Sequence, residues 1–598
     1  MRWSALAVEA PELRTRLAPG DGAEVMRRSL PYLPLLLLLV AMTAMPLVVL
    51  VLTSLVPEGA HPLDATHALT FAHYREVFAD PQTYLLLGNS FVFAGGTLLF
   101  GMSIATVMAW LVERTDMPFK ATATIAILLP MAMPGFITAI GWSFLLNPTN
   151  GILNHLLRPL LAPGSDYGPL NVYSLTGMIF VAGLSVGPSM FLMLSAVMRN
   201  LDPSLEESAA LSGAGGWSVT RRILLPLLRP GLLSVFIYFF VSAIEMLEIP
   251  LIFGPNAHFN LLSVTIYRKT AGGSVDLPDY GLSSTYALLG LFIGLALLFL
   301  YFRLMRQADR YAVITGKGYR PRLHRLGALG KVASGLFFAL FVLLKLVLPL
   351  LVLLWASALP FFQSPSREAL ASLTLKNYGA LFQNSRFVDA VSNTAILMVT
   401  TAACCMALAA LVGWVASRGR GLLPRLIDVL AFLPHLLPGI VIALAMLLTS
   451  IGTPLYGTLA VIVIGNIIRY LPFGVRIMSA VMVQVSRELE EAAYASGASR
   501  LAAWRRIMLP LALPAFVNGL LWVASHAMKD VTLPLFLVST SNIVIAGMMW
   551  ETWSRGAGEQ TAAISVLLVA VLLCIIAPLQ LALRRRMNRP DASFGEGL

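Results

Sequence analysis

Four ionisable residues stand where an apolar chain can least bear them. Glu245 and Glu248 interrupt one oily run, and Lys529 and Asp530 interrupt another, with His526 nearby. A charge at the centre of a bilayer costs ~2.5–3.5 kcal/mol on insertion scales, so such residues face a cavity or one another. Carboxylates and an ammonium there have the chemistry of a path for a polar or charged solute. The competing explanation is structural: a Glu245–Lys529 pair, or placement near enough to an outer surface to be wet. A second kind of chemistry lies in two polar segments, Leu205–Pro230 (LEESAALSGAGGWSVTRRILLPLLRP) and Leu489–Pro514 (LEEAAYASGASRLAAWRRIMLPLALP). They align without a gap at an offset of 284 residues, with 14 of 26 positions identical. Each runs straight into a hydrophobic span, so the chain shows one polar hairpin twice to a partner in water.

Other chemistries find no support in the residues. The Gly-Lys pairs, Gly316-Lys317 and Gly330-Lys331, are not followed by Ser or Thr, nor preceded by glycine at the spacing of a phosphate-cradling loop. Cys404, Cys405 and Cys574 lie inside apolar runs and have no Cys-x-x-Cys spacing, so neither a metal site nor a catalytic residue is expected. His435, between two prolines, reads as a helix-kink or interface residue.

The elements that must position these groups are membrane helices. The chain has 598 residues, 58% hydrophobic and only 12% charged, which is too little charge to cover a soluble surface. Several runs exceed the 18 or so apolar residues that span a bilayer. The net charge of +12 then means basic cytoplasmic loops rather than nucleic acid as a partner. The run 29–57 carries no charge and is too long for a signal-peptide core, so it is expected to be an uncleaved first span. About twelve spans are expected, near 29–57, 84–112, 121–146, 171–198, 230–254, 284–303, 333–361, 389–416, 424–450, 456–484, 513–538 and 562–583.

The repeat runs well beyond the hairpins. At an offset of 304, Tyr74, Phe78, Asn89, Trp110, Pro130, Pro134 and Gly135 meet Tyr378, Phe382, Asn393, Trp414, Pro434, Pro438 and Gly439. From Pro188 onward the offset is 284, so the first half holds 20 extra residues around Asn147–Tyr173. Six helices per copy is an even number, so the copies run parallel, about a pseudo-two-fold along the membrane normal. Lys and Arg crowd the 303–331 connector, the C-terminus and the loops after spans two and eight. That places both termini and both hairpins on the cytoplasmic side. Within each hairpin the residues predict two short helices. Asp202-Pro203 and Ser486 begin them, Gly213 and Gly497 reverse the chain, and Pro226 and Pro510 end or kink the second helix.

At these residues the sequence resembles the membrane subunits of ABC importers, whose cytoplasmic "EAA" loop has Glu-Ala-Ala, Gly after three more residues, and a run ending in Leu-Pro. Glu491 to Gly497 (EAAYASG) fits fully; Glu207 to Gly213 (ESAALSG) departs at Ser208, which is small and expected to be tolerated. The resemblance covers roughly residues 70–585 and implies the type I ABC importer permease fold: an all-α polytopic membrane protein of two parallel six-helix repeats. It implies that Glu206, Glu207, Ala209, Gly213, Glu490, Glu491, Ala493 and Gly497 couple the chain to an ATPase. Glu245, Glu248, Lys529 and Asp530 are the expected translocation-pathway residues. The implied partners are two copies of a cytoplasmic ABC ATPase, a periplasmic or lipid-anchored substrate-binding protein and the lipid bilayer. ATP and Mg bind the partner ATPase, leaving no cofactor on this chain.

The expected divisions are a cytosolic tail 1–28, a first repeat 29–303 with its coupling loop 203–230, and a basic connector 304–332. A second repeat 333–585 with its coupling loop 486–514 and a cytosolic tail 586–598 follow. The location implied is the bacterial cytoplasmic (inner) membrane. Fusion of two copies resembles the group of ferric-iron, thiamine and aminoethylphosphonate importers. The phrases Glu248 to Gly254 (EIPLIFG), Asp279-Tyr280-Gly281 and Leu433 to Gly439 (LPHLLPG) look most like its iron(III) members. Thiamine, aminoethylphosphonate or a polyamine are the alternative cargoes. Two rival classes are a secondary transporter with parallel repeats and a membrane enzyme acting on lipid-linked sugars. Val112 to Asp116 lacks the Gly-rich basic loop of the first, and short outer loops with isolated acids do not suit the second.

Overall fold

The computed structural model describes residues 32–57, 69–199, 208–272 (apart from 210, 214 and 258), 277–308, 323–419 and 421–587. Among these residues the regular structure is helical, and the β pairing is a single bridge between Thr115 and His324. Nine helices there are long and apolar enough to cross a bilayer: Leu33–Leu55, Pro81–Arg114, Leu175–Arg199, Thr220–Ile244, Tyr280–Tyr301, Ala328–Ser357, Ser385–Arg418, Leu459–Gln484 and Trp504–Lys529. Two more are bent pairs, Lys120–Ala132 with Gly135–Leu146 at 90° and Leu422–Leu436 with Gly439–Ser450 at 107°. The helix Gly558–Met587 occupies the last expected position.

Every expected span therefore holds helix, but four are not the straight rods the hydropathy suggested. The third span of each half breaks before a Pro-Gly step. Pro134 and Pro438 take extended ψ angles of 151° and 138°, and a new helix starts at the following glycine. Proline lacks the N–H that would continue the ladder and pushes the residue before it out of the helical region. The fifth span of each half stops at Ile244 and Lys529, short of the expected 254 and 538.

The residues predict an end or a kink at Pro226 and Pro510, and neither helix ends there. Each proline is preceded by a five-residue π-helical turn, Thr220–Leu224 and Trp504–Met508, and the α-helix then continues. The Leu225 and Leu509 amides reach back five residues, to the Thr220 and Trp504 carbonyls. Widening the turn by one residue frees the proline ring from the carbonyl four positions back, which an α-helical turn would drive into it. A third such turn, Leu343–Val347, sits at the same distance ahead of Pro349.

The chain forms two compact units. Of the described residues, the smaller takes those within 32–48, 399–436 and 464–524, and the larger those within 49–398, 437–463 and 525–587. In the larger unit Pro81–Arg114 packs along Leu175–Arg199. A Cβ on Gly101 would meet the Gly183 carbonyl oxygen at 3.0 Å, so glycine is what lets those backbones touch. Gly135–Leu146 is buried from Phe136 onward and lies against Leu348–Ser357, while Gly439–Ser450 is buried almost throughout. In the smaller unit Phe473 stacks on Trp522 at 3.5 Å, and the Arg476 guanidinium lies 4.6 Å over the Phe432 ring.

The internal repeat returns as repeated contacts. Tyr74 hydroxyl meets Ser54 at 2.9 Å, and Tyr378 meets Ser357 at 2.8 Å. The amide of Leu262 donates to Ser90 and that of Ile545 to Thr394, both at 2.9 Å. Asn89 and Asn393 donate to the carbonyls of Asn260 and Ile543. Arg114 Nη2 donates to Met198 O at 2.7 Å in the larger unit, and Arg418 Nη2 to Val485 O at 2.6 Å in the smaller.

Candidate functional site

The membrane charges of the larger unit sit at helix breaks. Glu245 is the C-cap of Leu225–Ile244, and Glu248 opens the helix Glu248–Ala257. At the repeat-equivalent place Lys529 ends Leu509–Lys529, and Thr532 opens Thr532–Leu537. Asp530, 6% exposed, accepts from the Thr532 amide at 3.3 Å, the first amide of that short helix. A break releases backbone amides and carbonyls that need partners, and the charged side chains stand among them.

The two glutamates serve the two half-helices. Glu248 Oε2 accepts from the Phe136 amide at 3.0 Å, and a Cβ on Gly135 would lie 2.6 Å from that oxygen, so the contact requires glycine there. Glu245 Oε2 accepts from the Gly439 amide. Gly135 and Gly439 are equivalent in the repeat. Each proline N-cap offers no side-chain acceptor, so a carboxylate from the broken fifth span of the first half supplies one, at the positive end of the helix.

A buried cation completes the cluster. Lys345, 1% exposed, donates from Nζ to Thr138 Oγ1 and Ser185 Oγ, both at 2.9 Å. It lies within the π-helical turn Leu343–Val347, and the charge of Glu248 acts on both Lys345 and Lys529. The repeat register pairs Glu245 with Lys529. The charge of Glu248 reaches Lys529, and Glu245 binds the Gly439 amide. Lys345 escaped the sequence reading because it has no counterpart in the repeat. Its signals were a lone charge in an apolar run and a proline four residues on.

The coupling residues divide by unit. In the smaller unit Ser486 caps the helix Arg487–Ala495 by accepting from the Glu488 amide at 3.2 Å. The helix ends at Gly497, φ +81°, where Ala498 N–H reaches Ala493 O and Gly497 N–H reaches Tyr494 O, both at 3.0 Å. Glu490 is buried and ion-paired with Arg418 at 3.0 Å, whereas Glu491 is exposed and Ala493 half-buried. Adjacent glutamates on a helix point about 100° apart, so one faces the protein and its neighbour faces water. In the larger unit Ala209 is half-buried and Gly213 has φ +85°, the same left-handed turn. Glu206 and Glu207 lie outside the described residues.

Comparison with known proteins follows this two-copy pattern. The model of the family described as "Binding-protein-dependent transport system inner membrane component" matches residues 98–311 and again 405–589. The chain is 25% identical over 519 residues to "Ferric transport system permease protein FbpB" of Actinobacillus pleuropneumoniae, covering 84% of this chain and 73% of that one. It is 26% identical over 485 residues to "Fe(3+)-transport system permease protein FbpB 2" of Haemophilus influenzae, covering 80% and 85%. A solved bacterial ABC transporter involved in the import of alginate matches 48% of this chain over 100% of its own length, at 18% identity and a TM-score of 0.35. The chain belongs to the binding-protein-dependent transport system inner membrane components, as a multi-pass ABC importer permease that carries the family's domain twice.

Proposed function

We propose that the chain is the membrane pathway of a ferric-iron importer, driven by two copies of a separate cytoplasmic ATPase and supplied by a periplasmic or lipid-anchored binding protein. The observation that carries this reading is that relatives named as ferric transport permeases align over four-fifths of the chain, through both halves. Both termini and both coupling loops face the cytoplasm in this reading. The partner ATPases seat on Glu491 and its surroundings in one copy and on the segment around Glu207, Ala209 and Gly213 in the other. ATP and Mg belong to those partners.

Glu245, Glu248, Lys529 and Asp530, joined by Lys345, form the membrane-embedded part of the path. Glu245 and Glu248 hold the half-helices at Gly439 and Phe136, and release of either carboxylate frees both a broken helix and a negative charge. A trivalent cation, a hard acid that prefers oxygen, is the cargo those carboxylates suit. The test is reconstitution in proteoliposomes with the partner ATPase and binding protein. ATP-dependent uptake of radiolabelled ferric iron is expected, unaffected by excess thiamine, aminoethylphosphonate or polyamine. Uptake of one of those in place of iron overturns the cargo, and proton-driven uptake by the chain alone overturns the class.

A further inference from the structure

We infer that the recess at the end of the Gly135–Leu146 helix is a receiving site for a hard multivalent cation, built on Glu559, Tyr173 and Asn150; this rests on the reading of the chain as an importer of ferric iron. The starting point is the extra segment of the first half, around Asn147–Tyr173, which the second half lacks. It is a fixed element. Asn154 is fully buried, and its Nδ2 donates to the carbonyls of Leu146, Asn147 and Leu170 at 3.1, 3.0 and 2.6 Å. Its Oδ1 accepts from the Leu170 amide at 3.0 Å, so one side chain ties both ends of the segment together.

The segment so held presents Asn150 and Tyr173 to a recess of about 540 Å³ in the larger unit, with Trp553 and Glu559 also lining it. Glu559 is half-buried in the first turn of Gly558–Met587, and its Oε1 accepts from the Phe362 amide at 2.6 Å. Its second oxygen is left to the recess, where no lysine or arginine answers it. The Gly135–Leu146 and Ile545–Ser554 helices both run out at its edge, and their carbonyl ends add negative potential. Phe144 packs on Phe362 and Trp553 at 4.5 and 5.9 Å between ring centroids, an apolar wall along one side of the recess.

The donor chemistry selects the ligand. A carboxylate, a phenol and an amide oxygen, without sulfur or imidazole, suit a hard cation, and the lack of a basic side chain disfavours phosphate or other anions. Among the described residues no three His, Cys, Asp or Glu side chains gather, so the site holds its ion loosely, with water completing the shell. Loose binding is what a transfer point needs. The recess follows span three, so it opens on the face opposite the loop after span four. The helix that ends in it begins, 12 residues and about 18 Å earlier, at the Glu248 contact.

The test is a Tb³⁺ titration of the full chain in detergent, read as emission sensitised by Trp553 and Tyr173 and displaced by Ga³⁺, a redox-inert analogue of ferric iron. Glu559→Gln keeps an oxygen for the Phe362 amide and removes only the charge. Saturable emission is expected, weakened about tenfold by Glu559→Gln, lowered by Tyr173→Phe and by Trp553→Phe, and lost when both aromatics are changed. A Glu559→Gln titration superimposable on wild type, or emission that survives the double change, overturns the site. Iron uptake by the reconstituted wild type with either of those results leaves the importer reading intact and the site refuted. The converse, a Glu559-dependent Tb³⁺ signal without iron uptake, refutes the cargo and keeps the cation site.

Discussion

Replacing Glu248 by Gln tests the buried charge cluster directly. The amide oxygen of Gln still accepts from Phe136, but the negative charge that acts on Lys345 and Lys529 is gone. Stranding a buried charge costs ~3–5 kcal/mol. Two ammonium groups share this carboxylate, and Lys345 keeps hydrogen bonds to Thr138 and Ser185, so the low end, about 3 kcal/mol, is expected. Lys345→Met removes the fully buried cation. Thr138 and Ser185 then retain their own acceptors, the carbonyls of Pro134 and Val181, at 3.0 and 2.9 Å. On that background Lys529 still loses its carboxylate while Lys345 no longer counts, so Glu248→Gln should cost about 2 kcal/mol. The coupling of about 1 kcal/mol is roughly fivefold in an equilibrium constant. Reversible unfolding of the four proteins in mixed micelles measures it. Equal costs of Glu248→Gln in both backgrounds, within about 0.5 kcal/mol, would refute the electrostatic argument.

Glu490→Ala should destabilise by about 3 kcal/mol because it leaves the half-buried Arg418 guanidinium without its carboxylate. Glu491→Ala should unfold within about 0.5 kcal/mol of wild type and lower the stimulated hydrolysis of a co-purified ATPase; a stability loss equal to that of Glu490→Ala would contradict the division of roles. Gly497→Ala meets open space but not a permitted backbone, φ +81°, so about 1–2 kcal/mol should be lost by strain alone, with Gly213→Ala matching it. The backbone amide of Leu326 first, and then Lys331, hold the Asp116 carboxyl below its ordinary 3.8. A depressed carboxylate favours the docked loop above the unfolded value and loses that effect as pH falls through the folded one. The protection factor of the Leu326 amide, its rate relative to the free amide at the same pH, should therefore be constant at neutral pH and fall only below about 3.8, and a fall near pH 6 would implicate another group.

Hydropathy and the repeat between them made most of the architecture readable. Helix stands at every expected span, and the paired glycines at 213 and 497 take the left-handed turn their spacing demanded. Hydropathy averages over a window, so it cannot see a break that leaves composition unchanged. Gly135–Leu146 is as apolar as a straight span, and only Pro134 marked the bend. The repeat found Glu245 and Lys529 by their equivalence, but not the amide that Glu245 binds. That amide is exposed by the other half's broken helix, a need that did not exist until the break did. The partners of Lys345 were hidden for the complementary reason. Lys345 answers a charge and two hydroxyls contributed by other spans, and nothing near it in the sequence carries that information.

The π-helical turns ahead of Pro226 and Pro510 have a consequence for torsion. One surplus residue in a helix advances its azimuth by about 100° without lengthening it by a full turn. The exposed arginine pairs at 221–222 and 505–506 lie inside those turns, so the span beyond each is phased by the surplus as well as by its own pattern. Deleting one residue there would act as a screw: the span would keep its length and composition while its apolar stripe swung by more than a quarter-turn. Glu245 and Lys529, near the far ends of these rods, would be carried round with it. The two turns thus set the phase of the spans that follow them, at equivalent places in the two halves.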